Sequence, residues 1–214
     1  MKMEERIFAI GDIHGCRNHL IRMLDLIPWN PEKDRILFIG DYIDRGNDSK
    51  GVVDIVEQIK REYPQTICLL GNHERMLLDY LGGRDRMLYF FNGGGKTLES
   101  YGLSARDNVV KGIPKSHREF FMNLQLYFET DDYLFVHAGL RPNIPLEQQD
   151  PHDLVWIRED FFMADVQYEK TIIFGHTPFR EPLVQPGKIG IDTGAVYGNK
   201  LTCIELPVKK FHYV

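Results

Sequence analysis

The chain has 214 residues, a formal net charge of -5, 43% hydrophobic and 27% charged residues, and at this length a folded protein buries roughly 70 to 75% of its unfolded surface. That is ordinary globular composition, and the scattered basic residues give no electrostatic footprint for a nucleic-acid backbone or an anionic membrane. Three widely spaced cysteines, Cys16, Cys68 and Cys203, exclude a disulfide framework or a Cys-rich zinc module and read as inert thiols.

The opening MKMEERIFAIGD holds a four-residue apolar run, too short for a signal-peptide core or a membrane span, so a cytoplasmic location is expected. RIFAI (6 to 10) is the first strand, and CRNHLIRMLDLI then places Leu20, Met23, Leu24 and Ile27 on one helical face. RILFI (35 to 39) is the second strand, SKGVVDIVEQIKREYP a helix presenting Val52, Val53, Val56 and Ile59, and TICLL (66 to 70) the third strand. This is a β-α-β-α-β opening. The stretch from about 82 to 132 is richer in glycine and charge; its clearest helix is PKSHREFFMNLQL (114 to 126), with Pro114 at the first position. Four more apolar runs follow: YLFVH (133 to 137), TIIF (171 to 174), KIGI (188 to 191) and LTCIEL (201 to 206). The runs are continuous rather than alternating, as in strands covered on both faces. No repeat, low-complexity tract or linker interrupts them, so residues 1–214 are expected to form one domain with a layered sheet core.

Five of the seven runs end in glycine with polar residues or in histidine: GDIHG, GDYIDRG, GNHE, VHAG and FGHTP. Ligands gather at the carboxyl ends of strands in open α/β sheets, so five distant segments can build one site. GDIHG supplies Asp12 and His14, which share a face if the chain stays extended past the strand. GDYIDRG supplies Asp41, Asp44 and Arg45; GNHE supplies Asn72 and His73, with Gly71 permitting a tight turn; VHAG and FGHTP add His137 and His176. Carboxylate, imidazole and amide oxygen without thiolate suit Mn, Fe or Zn better than Ca or Mg. The donors exceed one tetrahedral ion, whereas two ions sharing a bridging carboxylate would use them all. Two dications less Asp12, Asp41 and a hydroxide leave positive charge, to which Arg45 adds, and phosphate is the substrate that matches it.

Taken in order, GDIHG, GDYIDRG, GNHE, VHAG and GHTP resemble the calcineurin-type metallophosphoesterases, specifically the phosphoprotein phosphatase branch and its small bacterial and phage enzymes of the lambda phosphatase type. NGGGKTLESYG, LVWIRED and IDTGAVYGNKLTCIEL resemble further segments of that group, so the likeness runs from residue 6 to about 206. The resemblance implies an α/β fold in which a layered β-sandwich of mixed sheets is flanked by helices. It implies that Asp12, His14 and Asp41 hold one metal, with Asp41 bridging, and that Asn72, His137 and His176 complete the second, Asn72 also reaching the phosphate. His73 would protonate the leaving alkoxide, oriented by Asp44; Arg45 would grip the phosphate, with Arg158 as second clamp. The implied chemistry is hydrolysis of phosphoserine or phosphothreonine in proteins, by direct attack of a metal-bridging hydroxide with two divalent ions, Mn foremost and Fe or Zn as alternatives. Symmetric hydrolysis of diadenosine tetraphosphate is the alternative within the same branch, and a non-catalytic phosphate-binding scaffold a remoter one.

Each motif alone has a plainer meaning: GDIHG a capped glycine turn, DRG a turn, His137 or His176 a hydrogen-bonded structural histidine. Their order sets these aside, while His19, His117, His152 and His212 lie outside any motif and stay structural. Three decoys are rejected. GGGKT lacks the first glycine of a phosphate loop, since Phe90 stands there; CRNHLIR has C-x5-R spacing in a helical stretch without the glycines that wrap a phosphate; HERML lacks the second histidine of a zinc-protease helix.

Overall fold

The computed structural model describes residues 5–214; the first four, part of the MKMEERIFAIGD stretch, lie outside the described residues. The opening alternates β1 (Ile7–Ile10), α1 (Arg17–Leu26), β2 (Arg35–Phe38), α2 (Ser49–Glu62) and β3 (Ile67–Cys68). Five short helices follow: α3 (Asn72–Leu81), α4 (Arg86–Phe91), α5 (Gly94–Ser100), α6 (Val109–Gly112) and α7 (Lys115–Met122). The second half holds β4 (Tyr127–Glu129), β5 (Tyr133–Val136), α8 (Pro151–Trp156), α9 (Glu159–Phe162), β6 (Thr171–Phe174), β7 (Leu183–Gln185), β8 (Lys188–Gly190), β9 (Thr202–Leu206) and β10 (Lys210–Tyr213).

The strands form two five-stranded mixed sheets, ordered β10-β9-β1-β2-β3 and β4-β5-β6-β8-β7. Ala9, Leu37, Ile39, Leu69, Phe135 and Ile173 belong to one apolar cluster drawn from both sheets. A second cluster joins the first sheet to α1, α2 and α3 through Phe8, Leu20, Val52 and Leu77, and a third joins the other sheet to α8 and α9 through Val136, Leu154 and Phe161. The result is a layered sandwich with helices outside. Burial on both faces is why β1 is buried at every position and carries no polar alternation.

Strand direction positions the site. β1 pairs parallel to β2 and β2 to β3, so these three release the chain at one edge. In the other sheet β5 pairs parallel to β6 and β6 to β8, which aligns three more carboxyl ends. The two edges are tied to each other, because the His176 N–H donates to Asp12 Oδ2 (3.0 Å) and His137 Nδ1 lies 3.0 Å from Ile39 O.

Two local expectations need correction. Pro114 caps α7 rather than opening it, and the helix ends at Met122, freeing Gln125 to bridge Leu69. Past β1 the chain does not stay extended: His14 adopts a left-handed φ of 46° in a turn, so its direction is set by the turn and not by strand alternation.

The cysteines lie apart, Cys68 and Cys203 buried and Cys16 half-buried. Burial pushes the Cys68 thiol up to about 12 and raises Cys203 well above its usual value. The thiolate is the reactive form, so both stay inert well above neutral pH. At pH 8 a disulfide-exchange reagent should titrate Cys16 alone in the native protein and all three thiols after unfolding; prompt reaction of two or more native thiols would contradict this burial.

Candidate metal centre

Asp41 lies at the centre of the convergent strand ends. Its Oδ2 lies 3.3 Å from His14 Nε2 and 4.0 Å from His73 Nε2, while Oδ1 faces His137 Nε2 at 3.4 Å and accepts the His73 backbone N–H at 3.1 Å. One oxygen thus serves each side. Potential ligand atoms of His14, Asp41 and His73 cluster within 4.8 Å of one another, as do those of Asp41, His137 and His176, so Asp41 is common to both sets. Asp12 belongs to neither set but adjoins them, accepting the His176 backbone N–H on Oδ2 (3.0 Å).

Each candidate imidazole is held from behind. His14 Nδ1 donates to Ile43 O (2.8 Å), His137 Nδ1 to Ile39 O (3.0 Å) and His176 Nε2 to Trp156 O (3.2 Å). With those nitrogens protonated, the inward nitrogen of each ring keeps its lone pair, the tautomer a metal needs. Burial lowers the pKa of His137 and, well below its usual value, of His176, which keeps both rings neutral.

A cation fits these residues on the structure's own terms. Asn72 Oδ1 faces the inward nitrogens of His137 (3.1 Å) and His176 (2.9 Å), three acceptors with no hydrogen between them. Asp12 Oδ1 is buried without a partner among the described residues. Burial, then Asp192 and Asp41, raises the Asp12 carboxyl well above its usual value. Burial also opposes a charged Asp41, but His137, His73 and His14 outweigh it and hold that group well below the usual range. Divalent ions would satisfy all these groups together.

Five of these residues have left-handed backbones: His14, Asp41, Asp44, Arg45 and His176, with φ of 46°, 52°, 70°, 66° and 63°. Each such non-glycine residue costs about 1 kcal/mol, so the surrounding structure must hold them. For Asp41 that hold is Glu74. Its fully buried carboxylate accepts the N–H groups of Asp41 (2.9 Å), Tyr42 (2.8 Å), Ile43 (3.3 Å) and Gly71 (3.1 Å). Gly71 itself has an extended φ of -91°. Its glycine is required by proximity rather than by the turn, since a Cβ there would collide with the Asp41 side chain and amide.

At one end of the centre, Arg45 Nη1 lies 2.7 Å from His14 Nε2, with its guanidinium over the Tyr197 ring at 5.6 Å. At the other, half-buried Arg158 bonds the His176 carbonyl and Thr177 Oγ1 (3.2 Å each). His73 stands edge-on to His14 (4.5 Å between centroids), its Nδ1 2.7 Å from Asp44 Oδ2 and its Nε2 buried without a partner.

All the residues singled out from the motifs therefore meet here, Arg158 at the border. Sequence reasoning missed four neighbours: Asp192, whose buried carboxylate bears on Asp12; Tyr197 under Arg45; Trp156, 6.0 Å from His176; and Thr97 beside Asp44. Asp192 follows β8 in IDTG, so the strand-end rule that found the other carboxylates would have found it too. His152 stacks on Trp156 (6.1 Å, 19°), and the two line a cleft of about 750 Å³ with Leu70, Met76 and Leu88. The decoys stay decoys. Lys96 of GGGKT is exposed and pairs with Glu99 (2.9 Å), while Cys16, next to α1, has its pKa raised by burial.

Buried carboxylates and imidazoles sharing one central Asp, with a guanidinium at either end, are the equipment of a metal-dependent phosphoester hydrolase. Comparison with known proteins agrees: residues 5–210 match the calcineurin-like phosphoesterase model, and the chain belongs to that family. Relatives include serine/threonine-protein phosphatase 1 of Salmonella typhimurium, 30% identical over 92% of this chain and 89% of that one. Another is the asymmetrical bis(5'-nucleosyl)-tetraphosphatase PrpE of Oceanobacillus iheyensis, 28% identical over 96% of this chain and 90% of that one. The crystal structure of a proposed diadenosine tetraphosphatase superposes with a TM-score of 0.78 at 23% identity, covering 100% of this chain and 94% of its own, which establishes the fold alone.

Ligand binding to the folded state alone stabilises it, by about 2.7 kcal/mol at a hundredfold excess over Kd. Mn²⁺ should therefore raise the Tm of the metal-stripped protein, and Asp41→Asn should lose most of that rise. A metal-induced shift unaffected by D41N would contradict the central place of Asp41.

Proposed function

We propose that the protein is a two-metal phosphomonoesterase that removes phosphate from phosphoserine or phosphothreonine in proteins. Asp12, His14 and Asp41 would hold one ion, and Asn72, His137 and His176, together with Asp41, would hold the second. When bound, such ions would supply a nucleophile from water near neutral pH and neutralise phosphate charge. Arg45 and Arg158 grip the phosphate from opposite ends with charge-assisted hydrogen bonds and hold it in line. His73 delivers a proton from Nε2 to the departing oxygen; burial lowers its pKa, and Asp44 fixes its ring and favours its charged form against that burial.

The buried His73–Asp44 pair carries this choice of substrate. An alkoxide leaving from serine or threonine is strongly basic and departs slowly without a proton, so a positioned acid contributes about 10² to 10⁴-fold. A leaving phosphate gains far less, since its second pKa is about 6. The phosphatase relative spanning nearly the whole chain adds support. A second reading, cleavage of dinucleoside tetraphosphates, draws on the PrpE relative and on the Trp156–His152 stack, which offers an aromatic wall for a nucleobase.

The two readings separate on a substrate panel with Mn²⁺. A phosphoserine peptide should release orthophosphate with kcat/KM well above that for diadenosine tetraphosphate. Preferential hydrolysis of the dinucleotide, to two ADP or to ATP and AMP, would replace the first reading with the second.

A further inference from the structure

The run NGGGKT imitates a phosphate loop yet binds none of the groups described above through its lysine. Its position explains the glycines. Gly93 takes a left-handed φ of 96° and its carbonyl accepts the Arg45 N–H at 3.4 Å; Gly94 lies flat on the Tyr89 ring, where any Cβ would collide. α5 therefore starts hard against the Asp44-Arg45 turn, and Thr97, its fourth residue, is fully buried beside Asp44.

We propose that Thr97 is a positioning residue for proton delivery by the His73–Asp44 pair, holding Asp44 through the carboxylate oxygen that His73 does not use. The proposal rests on the reading of His73 as proton donor. Thr97 donates its hydroxyl to Asp44 Oδ1 at 2.5 Å, leaving Oδ2 for His73 Nδ1 at 2.7 Å. The same Thr97 oxygen accepts the Asp44 backbone N–H at 2.9 Å, shared with Ser49 Oγ at 3.0 Å, and the two hydroxyl oxygens lie 3.1 Å apart. Thr97 thus grips both the backbone and the side chain of a residue with a left-handed φ of 70°.

The torsion that orients a carboxylate is broad and roughly two-fold, so an Asp held at one oxygen alone wanders about its Cβ–Cγ bond. With Oδ1 anchored, Oδ2 keeps one direction. His73 then keeps its Nδ1–H toward Asp44, and Nε2, which has no partner among the described residues, holds the proton to be delivered toward the centre. The side-chain hydrogen bonds of Thr97 itself go to Asp44 and Ser49 and to no metal ligand or arginine among the described residues, so its loss should show in proton delivery and not in binding.

The test compares Thr97→Val, Thr97→Ser and His73→Asn on a phosphoserine peptide and on 4-nitrophenyl phosphate, whose leaving group needs no proton. T97V should lower kcat for the peptide by about 10 to 100-fold, the usual range for a supporting hydrogen bond, with KM unchanged. It should cost far less on the aryl ester and leave Mn²⁺-induced stabilisation as in the wild type; T97S should restore the peptide rate. Should T97V not fold, Thr97→Cys, nearly isosteric with Ser but a weak donor, is read in its place. Wild-type kcat in the variant, or equal loss on both esters, overturns the role of Thr97. If H73N itself spares the peptide rate, the proton-donor reading fails instead, so the two failures are distinguishable.

Discussion

One buried carboxylate holds the architecture of the site. Glu74 receives four backbone N–H groups, three from the loop after β2 and one from the loop after β3, and has no other hydrogen-bond partner among the described residues. Burial and the neighbouring Asp41 and Asp44 raise the Glu74 carboxyl well above its usual value, and the N–H groups of Asp41 and Tyr42 oppose that by favouring the carboxylate. Here the pairing joins two adjacent strand ends into one rigid unit. Asp41, whose own N–H is among the four, is thereby fixed in its left-handed conformation, and its two oxygens point to opposite halves of the centre.

The rest of the site follows from that fixed point. Two parallel strand triplets bring their carboxyl ends to it, and the imidazoles of His14, His137 and His176 are each braced by a carbonyl from another segment. Ile43 and Ile39, which brace His14 and His137, flank the very loop that Glu74 clamps. Strain at five left-handed residues is thus carried by hydrogen bonds that also set ligand direction, which is what preorganisation means in structural terms. Burial, Asp192 and Asp41 raise the Asp12 carboxyl, while the surrounding imidazoles hold Asp41 down despite its burial.

Much of this was legible in the sequence, for identifiable reasons. All seven apolar runs are strands, because a strand covered on both faces must be continuously apolar. β4, β7 and β10 escaped notice because they are short edge strands with exposed positions, whose residues carry no such constraint. The five strand-end motifs named the residues of the site, since a ligand must stand where the chain leaves the sheet. Hydrogen-bond direction was not legible. Glu74 could be read as a helix cap, and it is one through Gly71, but its clamp on Asp41, Tyr42 and Ile43 depends on loops 31 to 33 residues earlier. Thr97 lies 53 residues from Asp44, in a run whose spacing pointed to another chemistry altogether.

On the proposed function Asp41, locked by Glu74, would be shared between two ions rather than serving one. The most direct measurement is the Mn²⁺ stoichiometry of the metal-stripped protein, read together with its electron paramagnetic resonance spectrum at saturation. The account predicts two ions per chain and the multiline signal of an exchange-coupled pair, both reduced when Glu74 is replaced by alanine. One ion per chain with the spectrum of an isolated Mn²⁺ would contradict it.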